Sequence, residues 1–181
     1  MRWEALFRDL EAQLDAAESA DVAAEVADRT RAEAGRLRLV DRLRPTVGGV
    51  VSLLVAGGER VDGRVTAVGA EWVLVAETPA REALVPVRAI LAVRGLSARS
   101  AHPGGISAVE SRLRIGHALR QVARDRARTR VTLVDGSVVT GTLDRVGRDF
   151  VEVTERAPDV MGSPVQTVAV ATDAIAVVRT T

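Results

Sequence analysis

The 181-residue chain has no cysteine, so disulfides, thiolate nucleophiles and cysteine-ligated zinc are excluded. Lysine, asparagine and tyrosine are also absent, and the aromatic residues are only two tryptophans and two phenylalanines. All 25 basic residues are therefore arginine, which is typical of a high-GC genome such as an actinobacterial one and carries little functional weight by itself. The only histidines, His102 and His117, accompany no patterned carboxylates, so we expect neither a metal site nor a cofactor.

The chain also lacks a strong charge of either sign and any long apolar run. Its 25 arginines nearly balance 24 acidic residues, which leaves a net charge of +1 and no global field that would attract nucleic acid or anionic lipid. The longest apolar run, near 50–56, falls far short of the roughly 20 residues that cross a bilayer, and the N-terminus lacks a signal-peptide pattern. Since 47% of the residues are hydrophobic, we expect a globular cytoplasmic protein without membrane contacts.

Two stretches of the chain follow the same pattern of glycines and alternating apolar residues. The stretch from Gly58 to Val75 recurs 78 positions later, from Gly136 to Val153. The glycines and many valines return while the polar residues change, so what recurs is a backbone shape. The sequence therefore predicts an internal duplication of one small fold.

The first 46 residues are predicted to be helical. Apolar residues recur at helical spacing from Trp3, and a second apolar stripe runs from Val22 to Val40 after Asp21, which can cap a helix. A helical hairpin over 1–46 is favoured, because a second helix would cover the first stripe, whereas one continuous helix would need a partner. The sequence leaves both arrangements open. The candidate protein-interface residues are those of the first stripe: Trp3, Leu6, Phe7, Leu10 and Leu14.

From residue 47 onward the apolar period changes to two. Short alternating runs within 47–96 predict five strands, at 51–55, 61–68, 72–75, 83–87 and 90–93. Residues 97–106 contain serine, proline and glycine and are predicted to be a linker. A capping box at Ser107–Glu110 then predicts a helix, and a second set of strands follows, so 107–181 is predicted to be a helix plus a second strand domain.

A helix followed by five bent strands, with Gly-x-x-Val-x-Gly-x-Val-x-x-Val-Gly-x-x-Trp-Val-x-Val from Gly58 to Val75, resembles the Sm-like family, including its bacterial Hfq branch. The resemblance covers roughly 36–95 and 112–180. It implies an α+β, mainly β fold: two five-stranded Sm-like bent barrels, each preceded by a helix, plus the N-terminal amphipathic helix in its hairpin.

The positions at which Sm-like relatives contact RNA bases differ in this chain. The family's aspartate and asparagine correspond to Gly69 and Val73 in the first stretch and to Gly147 and Val151 in the second. Of the basic pair of the Hfq branch, only Arg88 keeps a positive charge. The resemblance therefore implies the fold more strongly than it implies RNA binding.

Trp72 and Phe150 occupy corresponding positions in the two stretches. Base stacking is one interpretation of such aromatics. Because their strand neighbours alternate with an apolar face, we expect both rings to pack against the preceding helix or the other strand domain.

An arginine-rich stretch at 112–130, with Asp125 as its only acidic residue, is the best electrostatic feature. Clustered arginines can neutralise phosphates, while helical spacing also fits a solvated helix face. A glycine-rich loop precedes Arg112 where a DNA-reading motif needs a packing helix, so DNA binding is not expected. The candidate nucleic-acid-binding residues are Arg88, Arg112, Arg120, Arg124, Arg126 and Arg128.

No nucleophile lies in a recognised catalytic arrangement, and the glycine spacings fit neither phosphate loops nor dinucleotide-binding turns. We therefore expect a non-enzymatic protein-interaction or assembly module without catalytic residues. It would form a homo-oligomer or bind a protein partner, with the N-terminal stripe as its docking element. The alternative is an RNA-binding regulator that uses the arginine-rich helix and the barrel loops.

Overall fold

The computed structural model describes residues 7, 13, 24–98, 101, 114–155 and 166–180. The chain divides into two compact units, Met1–Leu37 and Arg38–Thr181. In the first unit, residues 24–34 form an exposed helix, α1. The second unit holds the sheet and the other two described helices, α2 (Leu39–Leu43) and α3 (Ile115–Asp125).

The helix predicted over Val22–Val40 is in fact two helices. Helix α1 ends before a turn at 35–36, and the backbone of Arg38 is extended, with φ −94° and ψ 159°. The carboxylate of Asp41 accepts the backbone N–H of Arg38 at 3.1 Å and so caps the start of the separate helix α2. The expected helical hairpin over 1–46 is therefore wrong, and most of residues 1–23 lie outside the described residues.

Ten strands account for most of the second unit. The strands are β1 (Val50–Val55), β2 (Arg60–Val68), β3 (Trp72–Thr78), β4 (Arg81–Pro86), β5 (Ile90–Arg94), β6 (Arg128–Leu133), β7 (Val138–Val146), β8 (Phe150–Glu155), β9 (Gln166–Ala171) and β10 (Ile175–Thr180). Short 3₁₀ turns precede four of them, at Arg44–Thr46 before β1, Ala56–Gly58 before β2, Val87–Ala89 before β5 and Thr172–Ala174 before β10.

All ten strands belong to one open antiparallel sheet, in the order β5-β1-β2-β3-β4-β10-β6-β7-β8-β9. Strand β4 pairs with β10, so that Leu84 lies opposite Val178 and Ala83 lies opposite Arg179. This pairing joins the two sets of strands that the sequence predicted as separate. The expectation of two Sm-like five-stranded barrels produced by an internal duplication is therefore wrong, because the strands form a single sheet and no closed barrel.

The two longest strands, β2 and β7, each carry a glycine where a neighbouring backbone approaches closely. A Cβ on Gly63 of β2 would collide with the carbonyl oxygen of Ala76, and a Cβ on Gly141 of β7 would collide with that of Thr154. Only glycine allows neighbouring backbones to approach this closely. The pairing of β2 with β3 also shifts register between Val65 and the residues that follow, which is the mark of a bulge that bends a strand.

The central strands are buried on both faces. On β4, Ala83 and Val85 belong to one apolar cluster, whereas Leu84 belongs to another. Successive side chains of a strand point to opposite faces, so the two clusters lie on opposite sides of this strand. Strand β10 also contributes adjacent residues to both clusters: Val177 belongs to the first and Val178 to the second.

Candidate functional site

A groove of about 560 Å³ lies between α3 and the sheet face formed by β3, β4 and β10. Its bottom is apolar, because the side chains of Trp72, Leu84 and Val178 line it. These residues belong to the cluster that contains Leu119 of α3, so the helix and the sheet are packed together beneath the groove. Ligand sites typically have volumes of about 300–1,000 Å³, which makes this groove a candidate binding surface.

Polar side chains surround the mouth of the groove. Helix α3 contributes Arg120, Gln121 and Arg124, and Nη1 of Arg124 donates to Oε1 of Gln121 at 3.3 Å. Glu82 of β4 and Asp125 also line the mouth. Within the part of the chain that the structure describes, Arg120 and Arg124 form no ion pair, so both charges are available to a ligand.

A smaller cavity of about 280 Å³ lies where β10 meets the first strands, and its charges pair with one another. Arg179 is only 12% exposed; its Nε donates to Oε2 of Glu77 at 3.0 Å, and its Nη1 donates to Glu59. The hydroxyl of Thr132 donates to Oε1 of Glu59 at 3.0 Å. These bonds connect the ends of β2, β3, β6 and β10, so the cluster is a structural junction.

The pKa of Glu59 reflects its place in this junction. Partial burial acts to raise the pKa of this carboxyl. The hydrogen bonds from Arg179 and Thr132, together with the charges of Arg179 and Arg130, outweigh burial and hold the pKa below its usual value. The carboxylate is therefore the preferred form in the folded protein.

Five of the six predicted nucleic-acid-binding arginines lie among the described residues. Arg120 and Arg124 lie together at the mouth of the groove. Arg126 ends α3 in the left-handed conformation, with φ 47°, and forms an exposed ion pair of 3.9 Å with a carboxylate of β7. Arg128 is exposed at the start of β6, whereas Arg112 lies outside the described residues. The structure therefore brings the arginines of 120–128 to one helix and the strand that follows it.

Arg88 lies apart from them, beside a third cavity of about 450 Å³. Its Nε lies 3.4 Å from Oδ1 of Asp173, and its Nη2 donates to the carbonyl of Thr172. Both partners belong to the turn between β9 and β10. The side chain of Arg88 thus holds this turn and does not line the groove with the arginines of α3.

The predicted N-terminal interface is described at one position only. Phe7 is helical, and its side chain is 60% exposed. Trp3, Leu6, Leu10 and Leu14 lie outside the described residues. Of the five residues of the stripe, only Phe7 is among those described, and its side chain is exposed.

Trp72 is 8% exposed and packs in the cluster that includes α3 and strands of the second half of the sheet. Phe150 is half-buried, and its ring covers Gly147 so closely that a Cβ there would collide with it. The expectation that the ring packs against a helix or the other set of strands is confirmed for Trp72, which therefore offers no open face for base stacking. For Phe150 the described contact is with Gly147, and packing against a helix or the other set of strands stays a prediction.

The sheet ends in two edge strands, β5 and β9. Within the described ranges, no other strand pairs with the outer side of either one. Strand β9 reads Gln-Thr-Val-Ala-Val-Ala and contains no charged residue and no proline. Strand β5 carries one charge, at Arg94, and Leu91 on it is 64% exposed. Natural edge strands are usually protected by charges, proline or cover, and among the described residues no strand covers either edge.

Metal binding and membrane spanning find no support in the described residues. No group of three or more metal-ligating side chains is found among them. None of the helices in those ranges combines the length and the apolar character that a membrane crossing requires. His117, the one described histidine, lies at the mouth of the groove.

The sequence interpretation missed the groove and the junction, and one signal could have indicated them. Residues 83–87 and 174–178 are nearly continuous apolar runs, and such runs are typical of strands buried on both faces. They form β4 and β10, whose pairing creates both features. The charged partners Glu59, Glu77 and Arg179 follow no local pattern, because they come from separate strands.

Comparisons with known proteins add no assignment. The sequence matches no established protein-family model, and it shows no significant match to a curated protein. The Sm-like resemblance is not tested by these comparisons and stays a prediction.

Proposed function

We propose that this protein is a non-enzymatic assembly module that adds strands to its own sheet edges, either from further copies or from a protein partner. The observation that carries the proposal is the pair of edge strands, β5 and β9, at the two ends of the sheet, whose outer sides pair with no strand in the described ranges. An edge strand offers a row of unpaired N–H and C=O groups, and strand addition satisfies them with main-chain hydrogen bonds.

The pairing within the chain supports this mechanism. Strands β4 and β10 join at three residue pairs, from Glu82 opposite Thr180 to Leu84 opposite Val178. Strand β9 has six residues, all paired with β8 on its inner side. It therefore presents a longer edge than the contact that already unites the two halves of the sheet.

The N-terminal stripe is the second docking element of the proposal, because the exposed ring of Phe7 lacks cover. For the cellular location we keep the sequence-based expectation of the cytoplasm. A contact that uses an edge strand and an apolar stripe needs neither a cofactor nor a catalytic residue.

Light scattering across a range of protein concentrations tests the proposal. We expect the mass to rise above the 19.2 kDa of one chain as the concentration increases. Thr167→Lys with Ala169→Lys places two charges on β9 and should return the protein to a monomer, because charged edges resist pairing. Thr66→Lys, an exposed position on the interior strand β2, is the matched control and should associate like the wild type. A wild type that remains monomeric at every concentration would refute pairing between copies and would leave a protein partner as the only source of the added strand.

A second candidate function, RNA binding, is favoured by one observation: Arg120 and Arg124 project from α3 without an acidic partner among the described residues. Phosphate neutralisation makes such binding strongly dependent on salt. A mobility-shift assay with short single-stranded RNA at low salt tests it, with Arg120→Glu and Arg124→Glu together as the disabling variant. The absence of a shift in the wild type at low salt would remove this candidate. The 260/280 nm absorbance ratio of protein purified at low salt gives an independent check for bound RNA.

A further inference from the structure

We propose that the groove between α3 and the sheet receives the acidic amphipathic N-terminal segment, residues 3–14, of a second copy of this chain. The inference rests on the proposed self-association and deepens it, because it names the surface that accepts the N-terminal stripe. Three properties of the groove and of the segment support it: shape, charge and the exposure of Phe7.

The shape of the groove fits an inserted helix. Its apolar bottom, lined by Trp72, Leu84 and Val178, lies along α3 and holds about 560 Å³. Helices that bind in grooves insert apolar anchors at spacings of three, four and seven residues. The sequence offers such anchors on one face of the segment, at Trp3, Phe7, Leu10 and Leu14.

The charges of the two partners are complementary. Residues 1–21 contain six carboxylates and only two arginines. The arginines of α3 that border the groove, Arg120 and Arg124, are followed by exposed Arg126 and Arg128. Glu82 of β4 and Asp125 of α3 also line the mouth, and on the helix side the two arginines outnumber the single carboxylate. Opposite charges at the rim orient an amphipathic segment and raise its rate of association.

The exposed ring of Phe7 leaves the N-terminal stripe available for docking, and the proposed self-association supplies the second copy. The ring is 60% exposed within a single copy, although it belongs to a stripe of large apolar side chains. Once the edges of two sheets have paired, the N-terminal segment of one copy is tethered to the assembly that contains the groove of the other. The resulting effective concentration strengthens a contact that would be weak between free molecules.

Site-directed cross-linking tests the contact directly, because the chain has no cysteine of its own. Two full-length single variants, Leu10→Cys and Gln121→Cys, are mixed under mildly oxidising conditions, and the mixed disulfide is quantified by mass spectrometry. Gln121 is exposed and lines the groove. The control partner is Arg148→Cys, an equally exposed position in the turn between β7 and β8. We expect the groove pair to form at least about tenfold more mixed disulfide than the control pair.

Charge reversal adds a second readout, because arginines of α3 with a purely structural role would not respond to it. Arg120→Glu with Arg124→Glu, made in the Gln121→Cys chain, should lower the mixed-disulfide yield about tenfold. Glu11→Arg with Asp15→Arg in the Leu10→Cys chain should restore it, because the attraction is then re-established with opposite signs. Arginines that served only RNA would show no such restoration, and that result would overturn the inference.

The outcomes separate this inference from the proposed function. If the wild type associates in light scattering but Leu10→Cys cross-links equally to Gln121→Cys and Arg148→Cys, the groove contact is wrong and assembly at the edges stands. If the double variant Leu10→Cys/Gln121→Cys forms its disulfide only within one chain, docking on a second copy is wrong. A wild type that is monomeric at all concentrations removes both the groove contact and pairing between copies, and leaves only strand addition from a protein partner.

Discussion

Replacement of Arg179 by methionine should destabilise the sheet unit strongly. The guanidinium is 12% exposed and donates to Glu77, to Glu59 and, at 3.2 Å, to the carbonyl oxygen of Arg60. Methionine retains much of the aliphatic volume but none of the donors. The substitution therefore leaves two half-buried carboxylates without their main partner, while the packing around the stem changes little.

The expected cost follows from what remains for each carboxylate. Breaking a buried ion pair from one side costs about 3–5 kcal/mol. Glu59 is 24% exposed and keeps its hydrogen bond from the hydroxyl of Thr132, so the loss of Arg179 costs less free energy at this carboxylate. Glu77 is 14% exposed, so the cost at this carboxylate is larger. We therefore expect a loss of about 3 kcal/mol in the free energy of unfolding. With a urea m-value of about 2 kcal/mol/M, the unfolding midpoint should fall by about 1.5 M.

Urea unfolding followed by tryptophan fluorescence measures this loss. Trp3→Phe removes the only other tryptophan, so that buried Trp72 reports on the sheet unit alone. The control is the triple variant Arg179→Met/Glu59→Gln/Glu77→Gln, which removes the whole charged network and should lie within about 1 kcal/mol of the wild type. A single variant that costs less than about 1 kcal/mol, or a triple variant that costs as much as the single one, would refute the reasoning.

Two further predictions concern glycines and acid. Gly141→Ala should destabilise the protein by about 1–3 kcal/mol, because the new Cβ would collide with the backbone of β8. Gly116→Ala in α3 meets only ordinary contacts and should stabilise the protein by about 0.5–1 kcal/mol. Thermal unfolding of both variants checks these opposite signs. Because the pKa of Glu59 is lowered from its ordinary value of 4.5 in the folded protein, its contribution to stability is present above that value and is lost as the pH falls through the folded-state pKa. Urea titrations between pH 6 and 3 should show this loss in the wild type and a smaller one in Arg179→Met; equal losses would contradict the assignment.

The strands of this protein are largely predictable from local sequence. Alternation predicts strands at 61–68 and 90–93, and the structure has Arg60–Val68 and Ile90–Arg94. Side chains alternate across a strand with a period of two, and glycine marks the close approach of a neighbouring backbone, so both signals are carried by neighbouring residues. The prediction failed at Arg38, where the apolar stripe continues but the extended backbone and the cap by Asp41 interrupt the helix.

The arrangement of the strands was not predictable in the same way. The backbone groups on the edge of β4 can pair with any strand of suitable length, and side-chain alternation does not name the partner. The groove depends on that choice, since Leu84 and Val178 become neighbours only when β4 pairs with β10. The resemblance to separate barrels failed for this reason, although the five strands predicted within 47–96 match β1 to β5 to within a few residues.

The division of β10 between two apolar clusters has a consequence for how the chain matures on the ribosome. Residues 50–94 are synthesised well before β10, and until then their cluster lacks Ala176 and Val177, while β4 has no strand on its outer side. The core of the first half of the sheet therefore stays incomplete until β10 has been synthesised. Nascent chains of this protein should consequently be clients of co-translational chaperones for longer than a domain that closes its own core.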